Sequence, residues 1–446
     1  MRRILEAIQN VFKIPDLRKK VLFTIGMLIL YRLGGHIPLP GINMSALSRA
    51  FGSSEMGGLF GLYDMFVGGA FKRATIFATG IMPYITASII IQLLGAVIPY
   101  FQKLQKEGEE GRRKITQYTR YGTLFIAAAQ SLGMAAFIQN LSANSATPVI
   151  NPALAGWRFT LLAIISITTG SALIMWVGEL MTEKGIGNGM SILILVSIIS
   201  RLPSIFYQEI VLLLEGGRSI AIEFVVMIGL LFFIAAAILL SQGSRQIPVQ
   251  YARKVVGRKV YGGSATHLPL RINSAGVIPI IFASAVMFIP TAIVGFMPNG
   301  GIKEFFTQAL NTQGIWYNLF YGTIIVFFAY FYTAVIFNPV DVADNMKKYG
   351  GFIPGRRPGK QTSEYIDKVL TRITLPGSIG LALIAIIPVW FLRGTTGGSG
   401  IAYALGGTTL LILVGVVIDT LQQIESHLLM RHYDGFMKKG RIKGRM

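Results

Sequence analysis

The chain is built from long apolar runs separated by short polar stretches. A membrane-spanning helix takes about 20 consecutive apolar residues. The runs predict ten such spans, over 18–37, 74–99, 121–139, 157–178, 189–206, 219–241, 273–297, 315–337, 373–393 and 400–420. One apolar stretch is left over, "LFGLYDMFVGGAF" at 59–71. It is too short to cross a bilayer and too apolar to lie bare in water. The pattern therefore predicts an all-α polytopic membrane protein, with ten transmembrane helices and one short orphan element. An even number of spans puts both termini on one side.

Composition agrees. Hydrophobic residues make up 52% of the 446 and charged residues only 14%, against about 25% charged in soluble domains. Cysteine is absent, so no disulfide, thiolate metal site or cysteine nucleophile is available.

Charge fixes the orientation. Segments 1–20, 101–120, 178–189, 241–271, 338–372 and 421–446 hold 32 of the 41 Lys and Arg residues. They alternate with basic-poor connections as the span list requires, so both termini are expected on the cytoplasmic side. The net charge of +21 is thus a feature of one membrane face. Topology and attraction to anionic lipid explain most of it. At the start, Ile4, Leu5, Ile8, Val11 and Phe12 share one helical face that ends at Pro15, which predicts a surface-lying amphipathic helix. No small-residue cleavage site follows the first apolar run, so no cleaved signal peptide is expected.

Two stretches repeat in register. "GIMPYITAS" (80–88) aligns with "GVIPIIFAS" (276–284) at five identities in nine, and "GMSILILV" (189–196) with "GTTLLILV" (407–414) at five in eight. Each pair is five spans apart. An odd shift makes paired helices run in opposite directions, the arrangement of an inverted-topology repeat. Two five-helix halves are expected, 18–210 and 211–420, meeting near 207–218. Such repeats put the functional path at the interface between halves. The aligned isoleucines Ile85 with Ile281 and Ile194 with Ile412 become candidates for lining it, with Ile81 and Met190 one turn earlier on the same helix faces.

Candidate reaction chemistry is scarce. Glu179, Glu209, Glu215, Glu223 and Asp419 lie near span ends, and no span carries the midplane carboxylate pair of an ion-coupled carrier. His36, His267, His427 and His432 form no ligand pair, and "GIGNG" (185–189) lacks the preceding strand of a nucleotide fingerprint. No enzyme, metal or cofactor is expected. Two cytoplasmic loops are long and basic. Residues 247–261, "IPVQYARKVVGRKVY", predict a hairpin around Gly257. Residues 338–362 place Arg356 and Arg357 in a Gly/Pro turn, suited to an acidic groove or to RNA phosphates.

The stretches "GIMPYITASIIIQLL" (80–94), "KEGEEGRRKITQYTRYGTL" (106–124), "TEKGIGNGMSI" (182–192), "ATHLPLRIN" (265–273), "FYTAVIFNPVDVADNMKKYGGFIPGRRPGKQT" (331–362) and "GGTTLLILV" (406–414) make the chain resemble the SecY family, pore subunits of the bacterial protein-conducting translocon. The resemblance implies an hourglass of two five-helix halves that opens sideways. Its waist, an aliphatic pore ring, falls on Ile81, Ile85, Met190, Ile194, Ile281 and Ile412; Met190 departs from the usual β-branched residue. It implies a short plug helix over about Leu59 to Arg73, including Leu59, Phe60, Leu62, Tyr63, Asp64, Met65, Phe66, Val67, Gly68 and Gly69. Ser88, Gln92 and Asn273 fall on the lateral gate. Docking of cytoplasmic partners falls on Arg253, Lys254, Arg258, Lys259, Lys347, Lys348, Arg356 and Arg357.

The implied partners are the SecE and SecG subunits, the SecA ATPase, the ribosome through its rRNA phosphates, signal peptides and nascent polypeptides, and membrane lipids. The implied location is the bacterial cytoplasmic (inner) membrane. The alternative reading is a small-solute secondary transporter, which inverted repeats would also suit.

Overall fold

The computed structural model describes residues 14–53, 64, 67–143, 147–251, 254–256, 259–261, 265–296, 300–311, 314–396 and 405–439. The predicted amphipathic helix before Pro15 lies outside them. The chain forms two compact units. One holds Met1–Gln208, Phe288–Glu304 and Val416–Met446; the other holds Glu209–Met287 and Phe305–Gly415.

In the first unit, α1 (Pro15–Gly34) and α2 (Met44–Ser53) are followed by α3 (Met82–Val97) and α4 (Pro99–Lys106), a pair bent by 99° at Ile98. Then come α5 (Glu109–Ala143), α6 (Trp157–Lys184), α7 (Gly189–Ile199) and α8 (Leu202–Leu214), the last running into the second unit. The sequence predicted helix from residue 74. Instead Val67–Ile81 runs in turns and the helix begins at Met82. Gly68, Gly69, Ala74 and Gly80 all take positive φ, which no helix accommodates. The backbone finds other partners: Leu39 N–H donates to Ala74 O at 2.9 Å and Ile76 N–H to Ile37 O at 3.0 Å. Buried peptide groups must be paired somehow; here a strand-like bridge replaces the helix ladder. The predicted span 189–206 is likewise divided, because α7 closes at Ser200 and Pro203 sits in the first turn of α8.

The second unit contains α9 (Ile220–Gln242), β1 (Ser244–Tyr251), β2 (Lys254–Val256), β3 (Lys259–Tyr261) and β4 (Ala265–Arg271). It continues through α10 (Ile278–Phe296), α11 (Gly301–Ala309), α12 (Ile315–Ile336), α13 (Pro339–Lys348), β5 (Gly351–Phe352), α14 (Lys360–Thr396) and α15 (Gly407–Lys439), parts of α10, α11 and α15 belonging to the first unit. Seven helices among the described residues are long and apolar enough to cross a membrane, eight if the bent pair counts as one. The other expected spans are α1, which carries Asp16, Arg18, Lys19, Lys20 and Arg32, and α10, which has Pro290 inside it. Many large apolar side chains face outward, among them Leu22, Phe125, Phe224, Leu231, Phe232, Leu239 and Trp316. Bare apolar surface of that extent fits a lipid surround.

The expected hairpin at Gly257 is present as β2 paired with β3, with Val256 opposite Lys259. A larger sheet was not anticipated. β1 pairs with β4 from Ser244↔Arg271 to Gln250↔Ala265, and β5 adds on the other edge of β1. Ile247, Leu270, Ile353 and Ile366 form a small core beneath it, with Phe337, Val342, Met346 and Tyr365 packed around. The basic loops are therefore a folded platform with its own apolar centre.

Candidate functional site

The paired stretches of the repeat share their backbone landmarks. Gly80 and Gly276 occupy aligned positions and both are left-handed, at φ 56° and 64°. Each closes a turn: Gly80 N–H donates to Phe77 O, and Gly276 N–H to Asn273 O, the aligned residue. Helices α3 and α10 then begin at aligned residues, Met82 and Ile278, each with proline next. Proline is favoured there because its missing N–H would be unsatisfied in the first turn anyway. The first helical bonds also match, Ile85 N–H to Ile81 O at 3.1 Å and Ile281 N–H to Val277 O at 3.2 Å.

The second pair behaves alike. Helices α7 and α15 begin at the aligned Gly189 and Gly407, and Ile192 N–H to Asn188 O matches Leu410 N–H to Gly406 O. A Cβ on Gly189 would strike the Gly178 carbonyl of α6, and one on Gly407 would strike the Ile384 and Ala385 carbonyls of α14. In both, glycine lets the helix start press against its neighbour's backbone. Asn188 caps α7, accepting from Met190 N–H at 3.0 Å and Ser191 N–H at 3.4 Å. Asparagine is among the favoured N-cap residues, a role that the comparison of "GIGNG" with a nucleotide fingerprint had not given it.

The six candidate ring residues lie at or within two turns of these helix starts, and all are buried. Ile81, Ile85, Met190 and Ile194 belong to the first unit, and Ile281 and Ile412 to the second. The Met190 thioether covers Gly178.

Of the candidate plug residues, Leu59, Phe60, Leu62, Tyr63, Met65 and Phe66 lie outside the described residues. Asp64, Val67, Gly68 and Gly69 are all buried. Val67 packs on Gly80, immediately before the Ile81 position, and Gly68 on the Ser197 backbone of α7. Asp64 is fully enclosed. Its Oδ1 accepts from Lys72 N–H at 2.9 Å, and its Oδ2 pairs with the Arg201 guanidinium at 2.9 Å. Sequence reasoning noted the acid and missed its partner, which lies 137 positions on at the α7–α8 break.

Gln92 Nε2 donates to Ser88 Oγ at 3.1 Å on α3, while Asn273 is buried in the turn before α10. Among the docking candidates, Arg253 and Arg258 lie outside the described residues. Lys254 and Lys259 sit in β2 and β3. Lys347 and Lys348 are exposed at the end of α13, where cations suit the helix dipole. Arg356 and Arg357 are exposed on a rigid turn. Arg356 N–H donates to Ile353 O, its guanidinium stacks over Tyr365 at 5.0 Å, and Arg357 O accepts from Thr362 Oγ1 at 2.9 Å. Among the described residues no three His, Cys, Asp or Glu come together as a metal site.

A largely helical, lipid-facing chain with a repeated pair of helix starts and a folded basic platform is a polytopic membrane channel or carrier. Residues 75–421 match the SecY family model. The chain is 46% identical over 443 residues to the protein translocase subunit SecY of Streptomyces scabiei, covering 98% of this chain and 100% of that protein. The chain belongs to the SecY family. Its fold matches the solved structure of a protein-conducting channel at a TM-score of 0.66 and 17% identity, over 96% of this chain and 95% of that one. It also matches Sec61 in the canine ribosome–channel complex from the endoplasmic reticulum at 0.59 and 17%, with the same coverage. The ten predicted spans in two inverted halves fit that fold, and the protein is a translocase channel subunit. Nothing supports the small-solute carrier.

Proposed function

We propose that this chain passes unfolded polypeptides across the bacterial cytoplasmic membrane through a waist lined by Ile81, Ile85, Met190, Ile194, Ile281 and Ile412. The observation that supports the reading is the matched backbone of the helix starts in two like-built units, at or near which all six residues lie. A constriction of apolar side chains opposes ions and water when empty. It makes no specific hydrogen bonds to a passing chain, so any sequence slides.

Residues 59–69 act as the plug. Ser88, Gln92 and Asn273 line a lateral gate through which apolar segments leave. There Leu, Ile or Phe each contribute about −0.3 to −0.6 kcal/mol at mid-bilayer, whereas a charged residue costs about 2.5–3.5 kcal/mol. Both termini and the basic platform face the cytoplasm. Lys254, Lys259, Lys347, Lys348, Arg356 and Arg357, with Arg253 and Arg258, receive SecA or ribosomal RNA phosphates, and SecE and SecG complete the assembly. The rigid seat of Arg356 and Arg357 supports docking, since a preordered cation loses little entropy on binding.

Reconstitution with SecE, SecA and a preprotein tests this. ATP-dependent protection of the preprotein from protease is expected. Its absence, with correctly inserted chain, would overturn the reading.

A further inference from the structure

Three arginines from separate parts of the first unit converge on the segment Asp64–Gly69. Arg201, at the α7–α8 break, pairs with the Asp64 carboxylate at 2.9 Å. Arg32, in the last turn of α1, donates to Gly68 O at 3.4 Å. Arg73 brings a guanidinium nitrogen beside Gly69, 3.1 Å from where a Cβ would stand, with Arg201 Nε next in line. Three cations thus meet Asp64, Gly68 and Gly69, and the Asp64 carboxylate, paired with Arg201, has no exposed surface.

We propose that Arg32, Arg73 and Arg201 form a carboxylate seat, and that Asp64 in this seat is an electrostatic latch for the plug. The inference rests on the plug reading above and adds what holds the segment. Gly68 and Gly69 have no side chains to pack, and both take left-handed φ. Val67 is buried and packs on Gly80. Mutual repulsion among the arginines makes the seat unstable when empty, so the carboxylate does more than pair with one partner. Departure of the segment exposes a threefold cationic site whose natural ligand is a carboxylate, including one on a passing acidic chain. Leaving a buried charge without its partner is strongly unfavourable. Neutralising Asp64 therefore shifts the equilibrium of the segment outward in every state.

The test uses the full chain in planar lipid bilayers, reading resting ion conductance, alongside labelling of a single engineered cysteine. The chain has no cysteine of its own, so Val67→Cys reports access at one position to a membrane-impermeant maleimide. Asp64→Asn and Arg201→Met should each raise resting conductance and the labelling rate by about tenfold or more. Asp64→Glu keeps the carboxylate and should leave both near the parent values; an Asp64→Glu variant as open as Asp64→Asn would overturn the latch. Deletion of residues 59–69 separates the two levels. If the deletion opens the channel and Asp64→Asn leaves conductance and labelling at parent values, the latch is wrong and the plug stands. If the deletion itself changes nothing, both fall.

Discussion

In the first unit, the far end of α7, at Ser197, lies against Gly68, next to the buried ion pair of Asp64 with Arg201. In the second, α10 and α15 start beside a neutral hydroxyl. Tyr321 on α12 bonds Ser284 Oγ of α10 at 2.9 Å and Thr408 Oγ1 of α15 at 3.1 Å. The backbones of the paired helix starts in the two units are alike in the glycine φ and the first hydrogen bonds. Aligned side chains differ in use. Ser88 accepts from Gln92, whereas its counterpart Ser284 meets Tyr321; Met190 covers Gly178, whereas its counterpart Thr408 is hydrogen-bonded. The scaffold of helix starts is repeated, and the polar groups packed around it are not.

The second unit keeps its own buried charges away from its helix starts. Arg218 bonds Glu209 and Glu223 and donates to Thr396 O at 3.1 Å, tying the α8–α9 connection to the end of α14. Arg218 and Glu209 side chains are only 8% and 4% exposed. The largest effect is expected here. Arg218→Met leaves two carboxylates without their partner and should cost about 3–5 kcal/mol, read as a lowered thermal midpoint in detergent. Adding Glu209→Gln should recover part of the loss. An unchanged midpoint in Arg218→Met would show that these charges are hydrated and not structural.

The shared backbone predicts a smaller but symmetric effect. Gly189→Val and Gly407→Val each push a branched side chain into a carbonyl of the neighbouring helix, and overpacking of this kind costs about 1–3 kcal/mol. Both variants should lower the thermal midpoint by similar amounts. Loss in only one would break the equivalence of the two starts.

Much of this was legible in sequence because membrane helices announce themselves by length and apolarity. The repeat was legible because its glycines and prolines do geometric work: Gly80 and Gly276 take left-handed φ values that favour glycine, and Pro83 and Pro279 follow at the second helical position. What stayed hidden was non-local pairing. Nothing near Asp64 in the chain points to Arg201. Nothing in 338–362 shows that Gly351 and Phe352 will extend a sheet begun at Ser244. Residues 74–81 read as the start of a span because apolarity does not reveal turns; the signal lay in Gly80 and the proline three residues later. The six ring positions could be nominated from the repeat, since they sit where its identities cluster.

The smallest predicted effect sharpens the comparison most. Tyr321→Phe removes one hydroxyl from a ring that is 5% exposed. Ser284 and Thr408 both lose an interhelical partner, but Ser284 Oγ keeps its bond to Ile280 O within α10 at 2.9 Å. A cost of about 1 kcal/mol is expected, the usual net value of one such bond. Ser284→Ala should cost similarly, and the double variant should fall short of the sum by about 0.5–1 kcal/mol, because both remove the same contact. In the first unit, Ser88→Ala breaks only a bond to Gln92 within one helix turn and should cost less than Ser284→Ala. If Ser88→Ala and Ser284→Ala prove equal, and the Tyr321 cycle is additive, the second unit is not held by its tyrosine. The contrast between a charged fastening in the first unit and a neutral one in the second would then fail at its neutral end.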